Sequence, residues 1–192
     1  VTPVTAFLED EWQPIAPGLA RRIYTPAGIL SEILALRIDP TRYTFRVHYR
    51  PQAPLFIEEW RAELPSAVAI INANFFNSQN TIEGMLIADG VVHGRAYTQR
   101  GGMFALQNGV PTLRVNWREP YQGETNITQA VQAFPMLVID GAQAFTDARS
   151  SRPSRRSVVA LSASGDIYLM ATPAIGLGLY DLSAYLPTTD MQ

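Results

Sequence analysis

The sequence predicts an α+β fold: a large, mostly antiparallel, hairpin-rich β-sheet with about three short packed helices. Three observations carry this. First, the pairs Asp89-Gly90, Asn108-Gly109, Asp140-Gly141 and Ser164-Gly165 each interrupt apolar, β-branched runs. Every pair supplies glycine, and three supply Asn or Asp, where a tight hairpin needs positive φ. Second, segments 20–24, 33–39 and 43–49 alternate apolar with polar residues, the period of a half-buried strand. Third, segments 55–64, 125–134 and 176–186 shift to a helical period.

Taken in order, residues 1–19 read as irregular, with Trp12 and Ile15 as anchors. The link Asp39-Pro40-Thr41-Arg42 joins 33–39 and 43–49 into an expected hairpin. LFIEEWRAEL, bounded by Pro54 and Pro65, reads as a short helix. The unbroken apolar run AVAIIN (67–72) suits a strand buried on both faces and opens into the polar, aromatic stretch INANFFNSQN. TNITQAVQAF (125–134) would set Ile127, Ala130, Val131 and Phe134 on one helix face. GLGLYDLSAYL (176–186) would do the same with Leu179, Leu182 and Leu186, beside Tyr185. All of 1–192 is expected to form one domain.

Composition narrows function by exclusion. At 192 residues, 47% apolar and 17% charged, the chain can bury an ordinary core. A net charge of −2 argues against general binding to nucleic acid or anionic membranes, although all 15 basic residues are arginines. With no cysteine, disulfides, thiolate zinc sites and thiol nucleophiles are excluded. No stretch approaches the roughly 20 apolar residues of a transmembrane helix. The first residues lack the basic start and apolar run of a signal peptide.

Nucleophile elbow, P-loop, dinucleotide fingerprint and H-E-x-x-H are all missing. The two histidines, His48 and His93, lie in expected strands and read as half-buried sheet positions before paired metal ligands. Asn72, Asn74 and Asn77 gather where the 67–72 run ends; such amides either bind sugar hydroxyls or cap their own loop. Glu83, just before the next strand, is a candidate general acid or base. Phe75 and Phe76 either stack on a sugar or plug the core. Asp89, Asp140 and Asp166 are turn residues first. Arg149, Arg152, Arg155 and Arg156 crowd one loop, which is either an anion grip or a solvated charge run.

The motifs also have an order. INANFF (71–76) is followed by GMLIADG (84–90), GGMFALQNG (101–109), FPMLVIDG (134–141), RSVVA (156–160) and GLGLYDLS (176–183). In this order they resemble the phosphodiester glycosidase family over roughly 68–186. The resemblance implies a hydrolase acting on a sugar linked through phosphate in a glycan or glycoconjugate, in an extracytoplasmic or secreted setting. It singles out Arg156, helped by Arg155, to hold phosphate, Asn72 to bind sugar hydroxyls or phosphate, and Glu83 as acid/base. Asn74, Phe76 and Asp140 would contact substrate. A divalent cation such as calcium would find oxygen ligands there. Asn74 replaces a family glycine. The family's Asp-Gly-Gly-Gly-Ser loop does not occur before Gln192, so a second polypeptide or C-terminal fragment is expected to complete the site. The alternative is a non-catalytic carbohydrate- or phosphate-binding module, or a structural assembly subunit, on the same fold.

Overall fold

A computed structural model describes residues 11–28 and 31–189. It is α+β, but the strands divide into two five-stranded antiparallel sheets instead of one large one. The first sheet contains β1 (Gln13–Ala16), β2 (Leu19–Tyr24), β3 (Ile33–Ile38), β13 (Ser157–Leu161) and β14 (Ile167–Ala171), in the order β1-β2-β3-β14-β13. The second contains β6 (Met85–Ala88), β7 (Val91–Gly94), β8 (Gly102–Gln107), β9 (Val110–Val115) and β10 (Ile127–Ala133), in the order β7-β6-β10-β8-β9. Two small ribbons remain: β4 (Phe75–Phe76) with β5 (Ile82–Glu83), and β11 (Val138–Ile139) with β12 (Ala142–Gln143).

The hairpin turns follow their local chemistry. Asp89, Asn108 and Asp140 take φ of 48°, 52° and 53°, each followed by a glycine with φ of 74° or more. Positive φ at both central residues gives a turn whose twist matches that of its strands. The first sheet is covered on both faces, as strand alternation requires. Tyr24, Ile33, Ala35, Ala160, Tyr168 and Met170 face α2 (Leu179–Tyr185), which inserts Leu182. Leu19, Ile38 and Ile167 point the other way and meet Phe45 and Phe104, so the second sheet packs against the first. Met85, Ile87, Met103, Ala105, Ile127 and Ala130 form a separate core in the second sheet.

Several expectations need correction. Residues 125–134 contain β10, a strand in the middle of the second sheet, and no helix. Ile127 and Ala130 share one core although an odd spacing should separate them in a strand. A register shift between Ile127 and Gln129 restores them to one face. The resulting three-residue spacing imitates a helix. Only two α-helices occur among the described residues, α1 (Ile57–Glu63) and α2, with two short 3₁₀ turns; α1 buries no residue. Segment 43–49 keeps an alternating burial pattern yet joins no ladder; its Val47 N–H donates to the Gln129 side chain instead. AVAIIN is not a strand and not doubly buried, with Val68 58% exposed. Ile15 is exposed and β1 lies within the stretch read as irregular, whereas Trp12 does anchor, packing on Tyr24 and Tyr168.

Candidate functional site

Asn72 and Asn74 lie where INANFF crosses between the two sheets. Two contacts fix the crossing. Ser157 Oγ, at the start of β13, donates to Asn72 Oδ1. Asn74 Nδ2 donates to the Met85 carbonyl at 3.0 Å, at the start of β6. Asn74 has φ of 54°, so it adopts the left-handed conformation that a glycine at this place would favour. Asparagine tolerates that region, and here its amide adds a clip to the neighbouring sheet. Asn77 is a turn residue: its Oδ1 accepts from the backbone N–H groups of Gln79 and Thr81.

Phe75 pairs with Glu83 across the β4–β5 ribbon, so the two side chains share a face. Phe76 pairs with Ile82 and is 66% exposed. Two residues lie between Asn72 and Phe75, a reach of at most about 11 Å between Cα atoms. Glu83 thus belongs to a ribbon whose first strand begins three positions after Asn72. The Glu83 side chain is exposed and makes no hydrogen bond or ion pair among the described residues.

Arg156 immediately precedes β13. Its backbone is locked to Thr172, whose hydroxyl accepts from the Arg156 N–H at 2.8 Å and whose own N–H donates to the Arg156 carbonyl. The side chain is half-buried with no carboxylate partner, and its Nε is buried without a hydrogen bond. The Asn74 Oδ1 acceptor is likewise buried and unpaired. Buried polar atoms without partners are rare and mark places where a ligand or a rearrangement supplies one. Strand alternation carried back from Ser157 puts Arg155 on its face and Arg156 on the opposite one. At this edge strand Arg155 thus shares the face of the Ser157–Asn72 contact, and Arg156 shares the face of Val158 and Ala160, which is turned to α2.

The arginine loop divides in two. Arg149 is 91% exposed and folded onto Asp147. Arg152 is exposed without an ion pair. Ser154, by contrast, is bridged to Leu177 by backbone hydrogen bonds of 3.3 and 3.1 Å. That approach requires the glycines of GLGL. A Cβ on Gly176 would overlap the Ser154 carbonyl, and one on Gly178 would lie 2.6 Å from the Ser151 oxygen. The helix-proximal glycines thus hold Arg155 and Arg156 in place.

Asp140 sits at its hairpin tip, ion-paired to Arg118 at 2.8 Å; none of its contacts reaches Asn72, Glu83 or Arg156. His48 stacks on Trp60 and His93 on Tyr49. Among the described residues no three His, Cys, Asp or Glu side chains come together, so the donors for calcium would be Glu83 and the Asn72 and Asn74 amides, a set short of the usual six to eight oxygens.

Sequence reasoning missed the layer behind Glu83. Phe75 stacks on Phe134 at 4.6 Å, and Tyr97 meets Phe134 edge-on at 5.5 Å. Arg100 lies over both rings, 4.4 Å from the Tyr97 centroid and 4.1 Å from that of Phe134. Its one sequence signal was its position before the Gly101-Gly102 pair of the GGMFALQNG motif.

Comparisons with known proteins agree on the fold. The structure is similar to the catalytic domain of zebrafish N-acetylglucosamine-1-phosphodiester α-N-acetylglucosaminidase, described as auto-inhibited by its pro-peptide. The likeness has a TM-score of 0.64 at 13% identity and covers 94% of this chain and 70% of that one. A hypothetical protein from Synechocystis is more distant, with a TM-score of 0.49 and 13% identity over 86% of this chain and 53% of that one. No curated protein sequence matches the chain. No helix among the described residues is long and apolar enough to cross a membrane. The family model for phosphodiester glycosidases matches residues 65–190, from the run before Asn72 through α2, and the chain belongs to that family.

Proposed function

We propose that the protein hydrolyses a sugar-phosphate diester on a glycan or glycoconjugate, as one domain working outside the cytoplasm. Arg156, with Arg155, holds the phosphate. Asn72 and Asn74 take sugar hydroxyls, and Phe76 backs the sugar ring. The observation that carries this reading is the Ser157–Asn72 hydrogen bond at the start of a crossing whose Phe75 pairs with Glu83, a carboxylate without a side-chain partner among the described residues. In the reaction, water adds its hydroxyl to the anomeric carbon while the bond to the bridging oxygen breaks. The phosphate monoester leaves with that electron pair. A phosphate monoester has a second pKa of about 6, so it departs without first taking a proton. Glu83 therefore serves chiefly as the base that accepts the water's proton. Asp140, engaged by Arg118, is left outside this assignment.

A second polypeptide or C-terminal segment completes the sheet in this reading. Two features support it: β13 presents an unpaired edge, and 67–72 is apolar yet joins no ladder. Native mass spectrometry of the purified material tests whether such a piece accompanies the chain. Binding without turnover is the second reading, favoured by the buried, unpaired Arg156 Nε and Asn74 Oδ1, which a bound ligand would satisfy without any reaction. Incubation with a p-nitrophenyl or nucleotide-linked sugar phosphodiester, with product analysis, separates the two. Release of free sugar supports hydrolysis; binding with no product supports the module.

A further inference from the structure

We propose that Arg100 is a substrate contact, taking a pair of anionic oxygens from a ligand held over Glu83. Its guanidinium packs against the Tyr97 and Phe134 rings. Stacking uses the face of the guanidinium and leaves its in-plane N–H donors available for a phosphate or carboxylate. No carboxylate or other hydrogen-bond acceptor among the described residues engages that side chain. Arg50, also set over an aromatic ring, is instead closed by Glu63 at 2.6 Å.

The position is built with care that a solvated arginine does not need. The carbonyl of Arg100 accepts from Asn116 Nδ2 at 2.9 Å. Gln132 receives the Tyr97 N–H at 2.8 Å and donates back to the Tyr97 carbonyl at 3.1 Å. Both amide side chains are 0% exposed. Two fully buried amides spent on one loop fix where its exposed end points. The loop also touches the candidate site. Tyr97 lies so close to Gly84 that a Cβ there would come within 2.7 Å of its ring, and Gly84 directly follows Glu83. Phe134 stacks on Phe75, which faces Glu83 across the ribbon. Two chains of contacts thus link Arg100 to Glu83, one through Tyr97 and Gly84 and one through Phe134 and Phe75, and no ion pair neutralises either group among the described residues.

The anionic oxygens have two sources, the scissile phosphate or a carboxylate on the sugar. The choice of ligand rests on the phosphodiester glycosidase reading, so the test measures binding and not turnover. Glucose 1-phosphate, glucuronic acid and uncharged N-acetylglucosamine are titrated by calorimetry into wild type, Arg100→Ala and Arg100→Lys. Arg61→Ala is the control, an arginine of the exposed helix α1. The expected result is a fivefold or greater weakening in Arg100→Ala for at least one charged ligand, partly restored in Arg100→Lys and absent in Arg61→Ala. Loss for glucose 1-phosphate assigns the phosphate; loss for glucuronic acid assigns a sugar carboxylate. Equal binding in Arg100→Ala and Arg61→Ala, or no binding of either charged ligand by wild type, overturns the proposal. Failure of wild type to hydrolyse any diester, with the Arg100 effect on binding intact, overturns the hydrolase reading alone.

Discussion

Ser157 Oγ donates a 2.5 Å hydrogen bond to Asn72 Oδ1, joining the first residue of β13 to a loop 85 positions earlier. That bond ties the segment carrying Asn72 to the strand that Arg156 precedes. With Asn72 as acceptor, its amide nitrogen stays free to donate to substrate oxygen. Ser157→Ala and Asn72→Ala should each lower kcat/KM on a sugar phosphodiester by about tenfold or more. Because both remove one bond, their effects should overlap, with a coupling of about 1 kcal/mol in a double-mutant cycle. Strict additivity would show that the bond does not position Asn72.

Arg156→Ala should reduce kcat/KM by about 10²–10³, the usual cost of losing one donor aimed at developing negative charge. Glu83→Gln should lower kcat by about 10²–10⁴ with KM little changed, as expected for a lost base. Undiminished turnover in either variant removes that residue from the proposed role.

Gly176 has φ of 76° and abuts the Ser154 carbonyl, whereas Gly165 has φ of 89° in open space. Gly176→Ala combines backbone strain with a backbone clash and should cost about 2–4 kcal/mol in denaturant unfolding. Gly165→Ala should cost only about 1 kcal/mol, the strain alone. The first variant should also lose activity beyond its stability loss, since Ser154 and Leu177 hold the Arg155–Arg156 segment.

Gln132→Leu strips Tyr97 of both backbone partners while filling nearly the same volume. Leaving the N–H and C=O without their partners should cost about 2–4 kcal/mol. Amide exchange at Tyr97 should accelerate more than at Ala105, in the middle of β8. Equal acceleration at both would mean that Gln132 supports the whole sheet and not the loop.

Glu124 is paired to Arg114 at 2.6 Å, and Arg114 also donates to Gln107 at 2.7 Å. Burial pushes the Glu124 carboxyl upward, but hydrogen bonds from Arg114, from the Gln122 backbone and from its own backbone outweigh it and hold it below the usual 4.5. A depressed folded pKa means that the contribution is present above 4.5 and is lost as pH falls through the folded value. Arg114→Met should lower stability at pH 7 by about 2 kcal/mol, less than for a fully buried pair because Glu124 keeps partial solvent exposure. It should also flatten the decline in melting temperature below pH 4.5.

Legibility followed the range of the forces involved. Asp89-Gly90, Asn108-Gly109 and Asp140-Gly141 announced their turns because positive φ is a property of two residues and their immediate neighbours. The apolar face of α2 was likewise visible, since Leu182 in the helix and Leu186 at the start of the 3₁₀ turn that follows it stand four apart and are buried together. Arg156 could be picked from the arginine loop only through the ordered motifs, because four arginines in one loop look alike in sequence.

What the sequence by itself determined was local: the hairpin turns, two helices, four of the five strands of the first sheet (β2, β3, β13 and β14) and the family to which the motifs point. Tertiary structure decided the rest. It made 125–134 the middle of a sheet, because β6 and β8 satisfy the backbone on both sides of β10 and a bulge realigns its apolar residues. It left 67–72 outside any ladder, because an apolar run becomes a strand only when neighbouring backbones accept its hydrogen bonds. It also set Arg100 over Tyr97 and Phe134, residues brought together by two buried amides, a pairing that no local pattern encodes.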